Sequence, residues 1–480
     1  SLISSSTISK NSLKKSLLQL ECHFTWTLLK EDVDLDNLEE SIIDLIDIGF
    51  YENLTNYNLL SYVYHLKHLN KEALENLQKA EEFVQKCHPN EIDTKSLVTW
   101  GNYAWIYYHM DRYKEAQAYV SQVENSCKKL SGTAQLKIQL PEIYAEQGWA
   151  LLKFGKKYYG RAKECFEKAL SKEPNNPEFN AGYAIAAYRL EEHSNGKNEE
   201  ANSAVEILKR AVELNQIDTV VMALLALKLQ QLHQDDEGER YIEEAMKKTP
   251  NLPYFLRYAA IFYRKKGKVD KALEILRKAL TVTPKSMFLH HQMGVSYRAK
   301  LKQLERTGNP PQDQVEKLIQ ECIFHFKAVI DQKTKFCSGH IDLAVMYEKA
   351  KKYKEAEETY QKAFQIKTLS NDEKQLLCYQ YGNFHQYCKR SESEAIRYYK
   401  EGLKIEEDSH GRCMCKTALK KLLEKRIQKG LEDEADFGTL GLIYQLDGKN
   451  HEAIECYEKA IERNPDNEEY LSALCELRLS

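Results

Sequence analysis

Small and apolar residues recur along this chain at helical spacing, and one arrangement of them repeats. It reads Ala162-x3-Phe166-x2-Ala169-x4-Pro174 and Gly238-x3-Ile242-x2-Ala245-x4-Pro250. It returns as Ala272-x3-Leu276-x2-Ala279-x4-Pro284 and as Ala453-x3-Tyr457-x2-Ala460-x4-Pro465. Positions i, i+4 and i+7 share one helical face, so each run predicts a helix with one buried stripe. The closing Pro has no N–H to give the helix and ends it. Twelve residues before the first position stands another small residue, with Tyr three further on: Ala104 with Tyr107, Ala260 with Tyr263, Ala344 with Tyr347 and Gly441 with Tyr444. This predicts a second helix upstream of each first. The small residues mark close helix crossings and the large ones fill the gap between the helices.

From Gly238 to Ala272 the step is 34 residues. A helix pair of that length, with this order of small, aromatic and Pro positions, is the tetratricopeptide repeat signature. One pair cannot bury its own apolar face, so pairs stack into a superhelix with a concave inner surface. The fold class expected is therefore all-α, a tetratricopeptide-repeat superhelix. The spacing loosens outside the middle: Ala73 to Ala116 is 43 residues, Ala116 to Ala162 is 46, and Ala395 to Ala453 is 58. The last gap holds Lys416 to Lys429, a Lys/Leu-rich amphipathic stretch that predicts an additional non-repeat helix. Residues 303–312 predict an extended helix followed by a loop, and Glu191 to Ala201 a polar loop. The organisation expected is a disordered leader over 1–11, an N-terminal repeat lobe over 12–145 opening on a helix from Ser12 to Lys30, central repeats over 146–300, and a C-terminal lobe over 301–480.

Composition narrows the function classes. No run of about 18 apolar residues occurs, which argues against a membrane span. The Ser-rich start lacks the apolar core of a secretion signal. Twelve Cys are scattered without a CxxC pair, and Cys413-Met-Cys415 has no His at finger spacing, so the reading is a reduced cytoplasmic protein without metal or disulfide. Net charge is −3, so an anion site has to be local rather than global. There is no phosphate-binding loop, no HExxH, no EF-hand loop and no nucleophile–base pattern, and the expectation is a binding protein rather than an enzyme.

The inward positions of the first helices carry more. Counted from the third residue past each closing Pro, Tyr254, Arg257 and Tyr258 fall on one inward face, with Arg264 further along it. One repeat later His291 takes the place of Arg257, with Arg298 beyond; Pro174 places Arg189 inward in the same way. Trp149 and Lys153 are four apart and share a face. Arg forks match phosphate oxygens and Tyr rings stack on bases, as single-stranded RNA requires. A solvated inner face, or a groove for an acidic peptide tail, fits the same pattern, and most repeats of this type bind peptides.

Several segments go beyond the repeat consensus: Cys22-His-Phe-Thr-Trp26, Ser96-Leu-Val-Thr-Trp-Gly-Asn-Tyr-Ala-Trp105, Gly148-Trp-Ala-Leu-Leu-Lys153, Pro177-Glu-Phe-Asn180, Leu224-Ala-Leu-Lys-Leu-Gln230 and Leu289-His-His-Gln292. The chain from Ser12 onward resembles the interferon-induced proteins with tetratricopeptide repeats, vertebrate antiviral effectors. The resemblance implies a central positively charged channel that holds the 5′-triphosphate end of single-stranded RNA without hydrolysing it, sequestering non-self RNA from translation. It implies phosphate contacts at Lys153, Arg189, Arg257, His291 and Gln292. It implies base, ribose or cap contacts at Ser41, Trp149, Tyr159, Tyr254 and Tyr258, with Trp149 where cap-binding relatives stack a methylguanine. No cofactor is implied beyond a cation bridging the triphosphate, and the other partners implied are related repeat proteins. One departure stands out: a pocket Gln is expected from the second helix, and this chain has Asp44-Leu45 there. Leu45 cannot donate to phosphate, and Asp44 would repel it or hold a bridging cation. The alternative reading is a repeat scaffold that binds protein partners without recognising an RNA end.

Overall fold

The computed structural model describes residues 2–48, 53–133, 136–193 and 203–479. Every regular element among them is helical. The helices that carry the repeated pattern are Tyr159–Lys172, Asp235–Lys248, Val269–Val282 and Asn450–Arg463, each ending two residues before its Pro. Their partners precede them: Pro141–Lys153, Thr219–Gln231, Pro253–Lys265 and Glu434–Leu446. Ala162, Ala169, Ala245, Ala272, Ala279, Ala453 and Ala460 are completely buried at the crossings.

The irregular spacings have local causes. Between the helices Asn70–Cys87 and Leu97–His109 a one-turn helix, Ile92–Lys95, is inserted. The helix Tyr113–Ser131 runs 19 residues and closes on Gly132 in a left-handed cap (φ 73°). The helix Met287–Glu305 also runs 19 residues, as the 303–312 pattern required. Lys416 to Lys429 belongs to the extra helix His410–Gln428, whose Leu419, Leu422 and Leu423 are buried. Most of the expected loop from Glu191 to Ala201 lies outside the described residues.

The N-terminal expectations need correction. The first helix is Leu2–Leu17, not Ser12 to Lys30, and it occupies residues 2–11 where a disordered leader was expected. Leu13 and Leu17 are buried, and once that end is anchored each further turn is cheap to add. Beyond Leu17 the chain leaves the helix because later helices claim its backbone. Trp105 Nε1 donates to the Leu17 carbonyl, Tyr62 Oη to Leu28, and Arg161 Nη2 to Trp26, at 3.1, 2.9 and 2.7 Å. Thr27 sits at φ 55° in this segment.

The chain divides into two compact units, Ser1–Pro284 and Lys285–Ser480, rather than into lobes parted at residues 145 and 300. No boundary forms near residue 145 because side chains bridge it: Asn58 to Glu146 and Tyr158 to Leu29 and Asp32. In the first unit Phe166 wedges between two first helices. A Cβ at Gly182 would stand 2.3 Å from Phe166 Cε1, and one at Gly148 2.8 Å from Cε2. In the second unit, Tyr360, Phe384 and Leu377 form one core and Tyr399, Leu403 and Leu440 another.

Gly182→Ala should lower stability by about 1–3 kcal/mol, the cost of forcing extra volume into a packed core. Thermal melts of Gly182→Ala and of the double variant with Phe166→Leu test this. The second change should recover part of the loss, and no recovery would mean that Phe166 is not what the new methyl meets.

Candidate functional site

The first unit encloses a cavity of about 410 Å³. That lies within the range of small-ligand sites, roughly 300–1,000 Å³. Two helices supply most of its wall by helical periodicity. From Pro141–Lys153 come Glu146, Trp149, Ala150 and Lys153; from Pro177–His193 come Glu178, Ala181, Ile185 and Arg189. Each set falls at spacings of three and four residues, one stripe per helix. Leu45, Leu59, Asp218 and Tyr254 enter from neighbouring elements.

One side of this cavity is cationic. Lys153 is half-buried, and its ammonium has no hydrogen bond or ion pair among the described residues. Burial first, then the positive charges of Arg189 and Arg257, lower its pKa to about 7. Arg189 lies over the Tyr159 ring at 5.8 Å and donates from Nη1 to the Leu152 carbonyl at 3.3 Å. Arg257 is clasped between two rings: its guanidinium carbon is 4.1 Å from the Tyr254 centroid and 4.6 Å from that of Tyr258, and Nη2 donates to Tyr258 Oη at 2.8 Å. The structure thus brings together Lys153, Arg189, Arg257, Tyr159, Tyr254 and Tyr258, with Trp149 on the same wall. Trp149 meets Phe166 edge-on at 5.2 Å and is half-buried.

A second group of cavity residues is absent from the sequence reading. Glu146 is buried, and desolvation raises its pKa to about 7. Asn58 Nδ2 donates to Glu146 Oε1 at 2.8 Å, and Thr99 Oγ1 donates to Asn58 Oδ1 at 2.9 Å. Asn102 extends the network. Its Oδ1 accepts the His23 backbone N–H and its Nδ2 donates to the Asn58 carbonyl, which fixes the amide's orientation. The same Nδ2 therefore donates to His23 Nδ1 at 3.0 Å, so the neutral imidazole carries its proton on Nε2. Burial lowers the His23 pKa to about 3, so the ring is neutral at physiological pH. Nε2 has no partner among the described residues, and the ring lines the cavity. A trace of this was legible: Asn58, Thr99 and Asn102 are polar residues inside otherwise apolar helices.

Ser41, His291 and Gln292 are not among the residues that line this cavity. Ser41 is exposed, and its Oγ donates to the Leu38 carbonyl at 3.0 Å. It is not on the cavity wall, whereas Leu45, one turn on, is; Asp44 is exposed. His291 and Gln292 belong to the second unit. There His291 Nε2 stands 2.9 Å from Asp342 Oδ2, and Arg298 bridges to the other oxygen of the same carboxylate. Burial acts to raise the Asp342 pKa, but His291 and Arg298 together hold it below the usual carboxylate range. Gln292 Oε1 is buried without a partner among the described residues. No group of three or more metal-ligating side chains occurs among the described residues.

Comparison with known proteins agrees with this fold. The tetratricopeptide repeat family matches at residues 146–213, 259–286, 339–368 and 437–467. Protein IFIT1 homolog B of Homo sapiens is 45% identical over 94% of this chain and 96% of its own length. The antiviral innate immune response effector IFIT1 of Homo sapiens is 44% identical over 95% of this chain and 97% of its own. The solved human IFIT1 dimer with PPP-AAAA is 43% identical, with a TM-score of 0.80 over 94% of this chain and 99% of that one. Identity at this level along nearly the whole chain places it in the family that its own residues pointed to: it belongs to the interferon-induced proteins with tetratricopeptide repeats.

Proposed function

We propose that this protein is a cytoplasmic innate-immune effector that binds single-stranded RNA by its 5′-triphosphate end in the cavity of the first unit. It holds the RNA without chemistry and so keeps foreign RNA from translation. The observation that carries this reading is Lys153, a lysine on the cavity wall that has no ion pair among the described residues and that feels the charges of two nearby guanidiniums. Such a cluster repels itself in the free protein, and an anion with several charges relieves it. Arg189 and Arg257 supply forks suited to phosphate oxygens, and Tyr254 and Tyr258 supply ring faces at the same place. The reading stands without His291 and Gln292, which belong to the second unit. The solved complex of a 43% identical relative with PPP-AAAA supports it. The departure at Leu45 removes one polar contact to phosphate, so the cations carry more of the binding here.

Competition among RNAs of one sequence that end in triphosphate, monophosphate or hydroxyl tests the reading. Triphosphate should win, and equal affinity for all three would overturn it. Lys153→Ala and Arg257→Ala should each weaken triphosphate RNA binding by about 1.5–3 kcal/mol, the range for a hydrogen bond to a charged group. Full affinity in either variant would misplace the site.

The lowered Lys153 pKa sets a pH dependence with a definite sign. The free protein holds this lysine half-charged near pH 7, and bound phosphate restores its proton. Binding therefore takes up a proton above pH 7, and affinity should fall as pH rises from about 7 to 9. Glu146, also near 7, acts in the same direction, because a nearby anion favours its protonated form. Calorimetry in buffers of different ionisation enthalpy should show this uptake, reduced in Lys153→Arg. For folding the sign is opposite to that of a salt bridge: the folded pKa lies below the unfolded value of 10.5, so the penalty is complete below pH 7 and fades as pH rises to 10.5. Lys153→Met should accordingly melt higher than the parent at pH 6, with the difference shrinking by pH 9.5.

A further inference from the structure

A second cationic surface lies wholly within the second unit, where two turns between helices stand side by side. The first joins Cys337–Lys349 to Tyr353–Phe364 and reads Lys349-Ala-Lys-Lys-Tyr-Lys354. The second follows a π-helical turn, Phe384–Cys388, and reads Tyr387-Cys-Lys-Arg390. Their adjacency rests on Phe384, which the Tyr353 ring meets at 6.4 Å and over which the Lys389 ammonium lies at 5.5 Å. Cys388 Sγ also reaches Glu348 Oε2 at 3.8 Å.

Two features set this surface apart. Lys351, Lys352, Lys354 and Arg390 are exposed and have no ion pair among the described residues, while Lys389 is paired with Glu357. Tyr353 and Tyr387 are 43% and 66% exposed, unusual for large rings outside a site. Glu355 is the exposed acid that follows Lys354 and offsets one charge.

We propose that this paired-turn surface binds the phosphodiester backbone of single-stranded RNA, independently of the 5′-end cavity. Unpaired Lys and Arg interleaved with exposed Tyr rings are what a strand of phosphates and bases calls for: charge along the backbone, ring faces for sequence-tolerant stacking. An acidic protein would use the charges and leave the two tyrosines without a role. The inference rests on the reading of the protein as an RNA binder but not on the triphosphate pocket.

The test compares Lys351→Glu/Lys352→Glu/Arg390→Glu, and separately Tyr353→Ala/Tyr387→Ala, with the parent. The RNAs are a four-nucleotide and a forty-nucleotide strand, each with triphosphate or hydroxyl ends. The parent should bind the long strand about tenfold tighter than the short one, whichever end it carries. The charge variant should lose that length effect and keep the parent's affinity for the short triphosphate strand. Its log–log salt slope on the long strand should be shallower by roughly 2, for three phosphates no longer neutralised at about 0.7 each. The tyrosine variant should lose part of the length effect with the slope unchanged. A length effect that survives charge reversal overturns the proposal. So does loss with charge reversal but none with the tyrosine variant, which points to an acidic protein or to diffuse charge. Should the short strand bind equally with either end, the pocket reading fails while the length effect still judges this surface.

Discussion

Three cations held close together, Lys153 and Arg189 on the cavity wall and Arg257 behind Tyr254, are the constraint on which the site depends. Lys153, Arg189 and Arg257 do not hold one another; each is placed by a helix that packs for other reasons. The helix Pro141–Lys153 is fixed by Gly148 against Phe166 and Pro177–His193 by Gly182 against the same ring, while Phe255, Leu256 and Phe262 anchor Pro253–Lys265. Helix packing at full density offsets both the burial of the lysine and the repulsion from the two guanidiniums, which together lower its pKa. A softer scaffold would let the lysine swing to solvent and recover an ordinary pKa.

The cavity is not uniformly basic. Opposed to the cations is a chain of buried hydrogen bonds from Thr99 through Asn58 to Glu146, and from Asn58 through Asn102 to His23. Such networks are costly when half-satisfied and specific when complete. This one ends in a fixed imidazole donor on the cavity wall and a carboxyl that titrates near neutrality. The wall therefore offers anion-binding groups and a neutral polar edge to the same ligand, while Leu45, Leu59 and Ile185 supply apolar surface between them. The irregular segment after Leu17, which carries His23, is thus part of the site rather than a linker.

The second unit treats its inward cations differently. His291 and Arg298 share the Asp342 carboxylate, whereas Lys153 has no ion pair among the described residues.

The repeated spacing of Ala, Tyr and Pro determined the helix pairs, their ends and the inward faces, because helical periodicity and proline's missing N–H act locally. The residue types at the counted repeat positions likewise pointed to Arg189, Arg257, Tyr254 and Tyr258, while the roles expected of Lys153 and Tyr159 came from the family resemblance. Everything that depended on long contacts was illegible. Asn58 meets Glu146 across 88 residues, His23 meets Asn102 across 79, and His291 meets Asp342 across 51. No local propensity encodes such pairings, since each partner alone reads as an ordinary polar helix residue. The first helix was misplaced for the same reason: residues 18–29 have helical composition, but Trp105 takes the Leu17 carbonyl just before them, and Arg161 and Tyr62 take those of Trp26 and Leu28. Which faces are buried was a property of the sequence; which buried groups meet, and at what pKa, was decided by the packing of helices distant along the chain.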